Sequence, residues 1–310
     1  MLLVVLLYAL LASTFVFAKH ALSYANPCFL IGFRMLVAGS LLILFQIIKD
    51  KKSLRIKRAD WWLFCKAALF HIYLSFILEF WSLQYLTALK TTIIYSSTPF
   101  IAALLSYFLL GERLAKQKIL GIVIGLGGLA PVIMAAASGA EVSMEVLSIS
   151  MPEIVLFGAV ISGSYAWFIV KALMDKGYQL GVINGVAMLG GGLMSMMTAI
   201  TVEGVSNPVH DWPHFLGWVL LLILVANIVV YNLYGWLLRR YSITFVTFSG
   251  FLCPSFGALY EWLFMSGVVT WHYFVSLVLV TLGLYVFHKE ELDERIKRRR
   301  VVKLSEPPLV

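Results

Sequence analysis

Ten stretches of mostly apolar residues, joined by connections too short to fold by themselves, dominate this chain. A membrane-crossing helix needs about 17–25 such residues, and the stretches lie at about 2–18, 28–48, 61–83, 86–110, 119–137, 153–172, 180–201, 214–237, 243–265 and 270–287. Lipid offers no hydrogen bonds to bare backbone, so each is expected to be helical. Charged residues make up only 13% of the chain, against about 25% in soluble domains, so lipid must be the solvent for most of it. No domain fits between the spans, which argues against an enzyme with an extramembrane active site. The first span starts at Leu2 with no basic segment before it and reads as retained.

Charge gives the orientation. Of 24 lysines and arginines, 20 fall in the even-numbered connections or the C-terminal tail, three (Arg34, Lys66, Lys90) fall within spans, and Lys19 alone falls in an odd-numbered connection. Basic flanks stay cytoplasmic, so both termini are expected in the cytoplasm, and a bacterial inner membrane is the expected location. The net charge of +8 is thereby a matter of topology. The basic segment Arg295–Arg300 reads as an anchor on membrane lipid, and no nucleic-acid partner is expected.

The halves repeat. At an offset of 155, Trp81, Leu83, Thr87, Thr92, Pro99 and Gly128 fall on Trp236, Leu238, Ser242, Thr247, Pro254 and Gly283. At 152, Phe15 and Lys19 fall on Trp167 and Lys171. Five spans per unit is an odd number, so the two units must enter the membrane in opposite senses, as transporters with a midplane site between inverted repeats do. The expected fold is an all-α integral membrane protein of ten transmembrane helices, in two inverted five-helix repeats at 1–137 and 153–287, with a basic cytoplasmic tail at 288–310.

Pro27 followed by Arg34, the segment Ser82–Thr87, Pro99, the turn Gly111-Glu112-Arg113 and the glycine-rich fifth span together resemble the ten-helix, EamA-type branch of the drug/metabolite transporter superfamily. The resemblance is strong in residues 1–137 and weaker after 150, where Ser266-Gly267-Val268 stands in place of the Gly-Glu-Arg turn. It implies a central cavity walled by spans 1–4 and 6–9, with spans 5 and 10 peripheral and available for a homodimer. It also implies a secondary carrier of small metabolites such as amino acids, drugs, nucleotide-sugar relatives or S-adenosylmethionine.

Ionisable side chains within lipid cost roughly 2.5–3.5 kcal/mol each on insertion scales and usually face a wet interior. Lys66 lies shallow enough to snorkel, and Glu261 lies near an interface. Glu79, Lys90 and Arg34 lie at similar depth. They form either a salt bridge locking spans 2–4 or a subsite for the two charged ends of a zwitterion. His71 lies near the midplane. Trp81, Tyr95, Trp167, Tyr231 and Tyr234 complete the candidate substrate-binding set, the last four being too deep for an interfacial belt and suited to a planar ring or a cation. Asn227, Tyr231 and Asn232 suggest a polar stripe on the eighth span. Pro99 and Pro254 are candidate hinges, each removing a helix hydrogen bond in mid-span.

Other signals carry little. The GxGxxA pattern at 125–130 has no strand before it, and Gly121 with Gly125 suits close helix packing or dimerisation. Neither a Walker A, a GxSxG nor an HExxH pattern occurs. His210 and His214 lack further ligands, and Cys28, Cys65 and Cys253 are scattered singly, so no metal site, catalytic residue or cofactor is expected. The functional expectation is a secondary transporter of a small-molecule metabolite working by alternating access, with S-adenosylmethionine/S-adenosylhomocysteine exchange as the leading substrate reading. An amino-acid or drug exporter, and outside the carriers a membrane scaffold or receptor, are the alternatives.

Overall fold

The computed structural model describes residues 2–86, 88–111, 116–128, 151–204, 207–264 and single positions between 271 and 289. Its helices run in chain order as α1 (Leu2–Leu22), α2 (Pro27–Asp50), α3 (Arg58–Tyr85), α4 (Ala88–Tyr95), α5 (Thr98–Leu110), α6 (Lys116–Gly127), α7 (Met151–Asp175), α8 (Leu180–Glu203), α9 (Trp212–Leu238), α10 (Ile243–Phe248) and α11 (Leu252–Phe264). Six of them, α1–α3 and α7–α9, are long and apolar enough to cross a membrane. Among the described residues no strand forms, and one isolated bridge joins Ala25 to Val209. Apart from Lys289, the tail at 288–310 lies outside the described residues, as does most of the span expected at 270–287.

The spans expected at 86–110 and 243–265 are each broken. Ser96-Ser97 separates α4 from α5, and a single 3-10 turn, Ser249–Phe251, separates α10 from α11. Pro99 and Pro254 therefore stand in the first turn of a new helix rather than in mid-helix. There the missing N–H has no intrahelical acceptor to lose. Hydroxyls take up carbonyls at each break: Ser97 Oγ donates to Ile94 O at 2.7 Å, Thr98 to Tyr95 O, and Ser249 Oγ to Phe245 O at 3.0 Å.

Three long helices carry π-helical stretches, Ala67–Leu74 in α3, Ala199–Glu203 at the end of α8 and Ile223–Val230 in α9. Ser75 Oγ and Ser162 Oγ both donate to Phe70 O, at 2.6 and 2.8 Å, which satisfies a carbonyl in the widened turn.

Helices α2 and α8 pack antiparallel along a glycine seam. A Cβ on Gly39 would lie 2.9 Å from Leu189 N, and one on Gly192 3.0 Å from Leu36 N. Likewise a Cβ on Gly32 would lie 3.0 Å from Met196 N, and one on Gly185 2.8 Å from Ile43 Cδ1. Only hydrogen fits where backbones approach this closely.

Both ends of the pair are stapled. Glu203, ending α8, accepts from Cys28 N at 2.7 Å and Phe29 N at 3.1 Å, capping the start of α2 where Asn26 supplies no side-chain cap. Asp50, ending α2, accepts from Gln179 Nε2 at 3.3 Å just before α8, and Gln46 Nε2 donates to Gln179 Oε1 at 2.6 Å. Gly39→Ile is expected to cost about 1–3 kcal/mol by overpacking the seam. A melting curve in detergent checks this, and an unchanged melting temperature would show that the helices can part.

A further close glycine approach concerns Gly121 and Gly125 of α6. A Cβ on Gly283 would lie 2.9 Å from Gly121 O and 2.7 Å from Gly125 N. That pair is thus covered within the chain and is not a free dimerisation face.

Candidate functional site

Helices from both halves enclose a cavity of about 130 Å³. Of the residues singled out in the sequence, Arg34, His71, Glu79, Tyr95, Trp167, Tyr231 and Tyr234 line it. α2 supplies Arg34, α3 supplies His71 and Glu79, α4 supplies Tyr95, α7 supplies Trp167, and α9 supplies both remaining tyrosines.

Trp81 is not among them. It is 36% exposed and lines a lateral crevice with Leu78 and Glu203. Two helical residues differ by about 200°, so a Glu79 that faces inward turns Trp81 outward. Lys90 belongs to α4, and its side chain lies outside the described residues, as does that of Glu261. Lys66 behaves as a snorkelling residue, its Nζ 5.5 Å from the Trp62 ring centroid. The stripe expected on α9 divides. Tyr231 faces the cavity, fully buried Asn227 donates to Met35 Sδ at 3.1 Å, and Asn232 donates to Ile228 O at 2.7 Å.

The cavity has a charged side and an aromatic side. Glu79 accepts from the Tyr95 hydroxyl at 2.5 Å. Arg34 is 1% exposed, and its guanidinium carbon sits 4.6 Å from the Phe76 ring centroid and 5.1 Å from that of Phe80. Neither Nε nor Nη2 of Arg34 has a hydrogen-bond partner, and no ion pair joins it to Glu79. His71 Nε2 and Ser164 Oγ, both buried on the same walls, are also unpartnered.

On the other side, Trp167 stacks on Tyr234 with centroids 4.0 Å apart, and His71 meets Trp167 edge-on at 4.6 Å and Tyr231 at 4.8 Å. Buried polar groups normally find partners. Four of the unpartnered buried atoms, on Arg34, His71 and Ser164, surround this one void.

Tyr8, Thr14, Ser164, Thr247 and Cys253 also line the cavity and were not singled out from the sequence. Ser164 could have been found: it lies one helical turn from Trp167. Tyr8, whose hydroxyl donates to Val246 O, sits in a run of leucines and valines with no pattern around it.

The profile of the EamA-like transporter family matches residues 1–134 and 150–288. An S-adenosylmethionine/S-adenosylhomocysteine transporter of Chlamydia muridarum is 31% identical over 287 residues, covering 91% of this chain and 89% of that protein. The transporter of the same description from Chlamydia trachomatis serovar L2 is 29% identical, with 91% and 87% covered. One crystal structure shares the fold at a TM-score of 0.69 and 17% identity, over 95% of this chain and 96% of that one. The all-helical architecture, the six membrane-length helices and these matches agree: the chain is a multi-pass membrane protein and belongs to the EamA-like transporter family.

Proposed function

We propose that the protein exchanges S-adenosylmethionine for S-adenosylhomocysteine across a bacterial inner membrane by alternating access, with both termini in the cytoplasm. The observation that carries this reading is the set of unpartnered buried polar atoms on Arg34, His71 and Ser164 opposite Glu79. In this reading Arg34 and Ser164 take the substrate carboxylate, and Glu79 takes the ammonium. Trp167, Tyr231, Tyr234 and His71 receive the adenine and the sulfonium, since aromatic faces suit both a flat ring and a cation. The names of the chlamydial relatives point to the same pair of substrates.

The inverted duplication has its own support. The glycine seam pairs Gly32 with Met196 as Gly185 pairs with Ile43, and Gly39 with Leu189 as Gly192 pairs with Leu36. Each of these second-half residues lies 153 positions after its first-half counterpart. The π stretches of α3 and α9 and the two helix breaks recur at similar spacing. The breaks before Pro99 and Pro254 are then the flex points at which wall helices bend.

The cavity of about 130 Å³ is smaller than the roughly 300–1,000 Å³ that encloses a drug-sized ligand. Admitting S-adenosylmethionine requires Trp167 and Tyr234 to part, with adenine taking the place of one ring. The small volume favours, as a second reading, an aromatic amino acid. Counterflow in proteoliposomes decides. Vesicles preloaded with unlabelled S-adenosylmethionine should accumulate the labelled compound, and preloaded S-adenosylhomocysteine should drive the same uptake. Uptake driven only by preloaded phenylalanine or tryptophan would establish the second reading and remove the first.

A further inference from the structure

Lys19 is the one lysine or arginine in an odd-numbered connection, at the end of the bundle opposite the basic connections. Its Nζ donates to Leu83 O at 2.6 Å, Gln84 O at 3.2 Å and Leu86 O at 2.9 Å. These carbonyls end α3 and begin the turn into α4, and a helix C-terminus leaves such acceptors without intrahelical donors. An ammonium there also meets the negative end of the helix dipole. The bonds tie the end of α1 to the α3–α4 turn, about one helical turn beyond Glu79 on the cavity wall.

The same parts recur at the basic end. Lys171 follows Trp167 by four residues, as Lys19 follows Phe15. Leu238, Arg239 and Tyr241, ending α9 and entering the turn to α10, lie 155 positions after Leu83, Gln84 and Leu86. Here the parts stand apart. Lys171, Leu238, Arg239 and Tyr241 line the walls of an open crevice of about 680 Å³, and Lys171 makes no hydrogen bond among the described residues.

We propose that Lys19 and Lys171 are alternating latches of the carrier, each closing one side of the membrane by binding the carbonyls at the end of a wall helix. The inference rests on the inverted-repeat, alternating-access reading above. With Lys19 engaged and Lys171 released, this structure is the form latched at the far end and unlatched at the basic end. In the opposite form Lys171 holds the carbonyls of residues 238, 239 and 241, and Lys19 lets go. A released lysine at either membrane surface reaches water by extending its stem. One set of charge-assisted bonds replaces another, so the two forms stay close in free energy, as a carrier that visits both requires. The α2–α8 pair, stapled at both ends, does not open in either form.

The test reads which side is open, independently of substrate. Thr14→Cys, with Cys28, Cys65 and Cys253 changed to serine, places a single thiol on the cavity wall. A membrane-impermeant maleimide is applied to spheroplasts and to inverted vesicles. The parent should label mainly from the cytoplasmic side. Lys19→Met should raise labelling from the outside about tenfold, the change expected when charge-assisted bonds to one state are lost. Lys19→Arg should retain most of the parent pattern, and Lys171→Met should deepen the inward preference.

If the parent thiol labels from neither side, the alternating-access reading fails, and if it labels equally from both, the engaged Lys19 favours neither form and the latch fails. If the parent shows a side preference that Lys19→Met leaves unchanged at an unaltered melting temperature, the latch alone fails. Should Lys19→Met not accumulate, Lys171→Met decides: residual outside labelling should disappear, and labelling equal to the parent overturns the proposal.

Discussion

Arg34→Met will raise the melting temperature, or leave it unchanged, while transport falls by at least about 100-fold. The two halves of this expectation come from one observation. Arg34 is 1% exposed, has two nitrogens without partners and makes no ion pair with Glu79. A buried charge without an adequate partner is a net cost to the fold, and replacing such a group with an apolar one of similar shape is often neutral or stabilising by about 1–4 kcal/mol. Methionine keeps the unbranched stem between Phe76 and Phe80 and gives up only their contact with the cation, worth about 0.5–2 kcal/mol. Loss of a bidentate carboxylate contact in a desolvated site costs about 2–5 kcal/mol of binding, which is where the loss of transport arises. A structural salt bridge predicts the reverse order, a protein that melts early. Thermal unfolding and counterflow on the same preparation separate the two, and a destabilised Arg34→Met would remove the substrate role.

Glu79→Gln will lose discrimination for the substrate's cationic groups, with uptake of the zwitterion lower by about 30-fold or more. The amide still accepts from Tyr95, whose hydroxyl lies 2.5 Å from the carboxylate, so packing should survive. Tyr95→Phe removes one hydrogen bond and should reduce uptake by no more than about tenfold. The informative comparison is between S-adenosylmethionine and its analogue lacking the α-amino group. Wild type should strongly prefer the former, and Glu79→Gln should transport both at similar low rates. A mutant that keeps the wild-type preference would place the ammonium elsewhere in the cavity.

The parts of this protein that were legible from sequence are those with a large single-residue cost. A guanidinium or carboxylate in lipid is expensive, so Arg34 and Glu79 identified the cavity before any coordinates did. Six of the spans followed from unbroken apolar length. Trp81 was misplaced because an aromatic near a site is cheap on either face of a helix, and only its angular offset from Glu79 distinguishes the two. The breaks at 96–97 and 249–251 were half visible: proline was read as a kink, when Ser96-Ser97-Thr98 before Pro99 spells the start of a helix. The π stretches left no sequence trace, because a change of turn size is silent in a run apolar on every face.

The proposed inverted duplication gives the α2–α8 seam an origin. The contacts Gly32–Met196 and Gly39–Leu189 recur between the counterparts of their residues, as Gly185–Ile43 and Gly192–Leu36, so the two helices meet much as a single helix would meet an inverted copy of itself. A half-length ancestor that entered the membrane in both orientations would assemble by this face. Fusion of two copies would then fix one in each direction. On the proposed inverted duplication, the halves would then have diverged in their walls, where Arg34 has no matching arginine, while the surface on which they met kept its glycines.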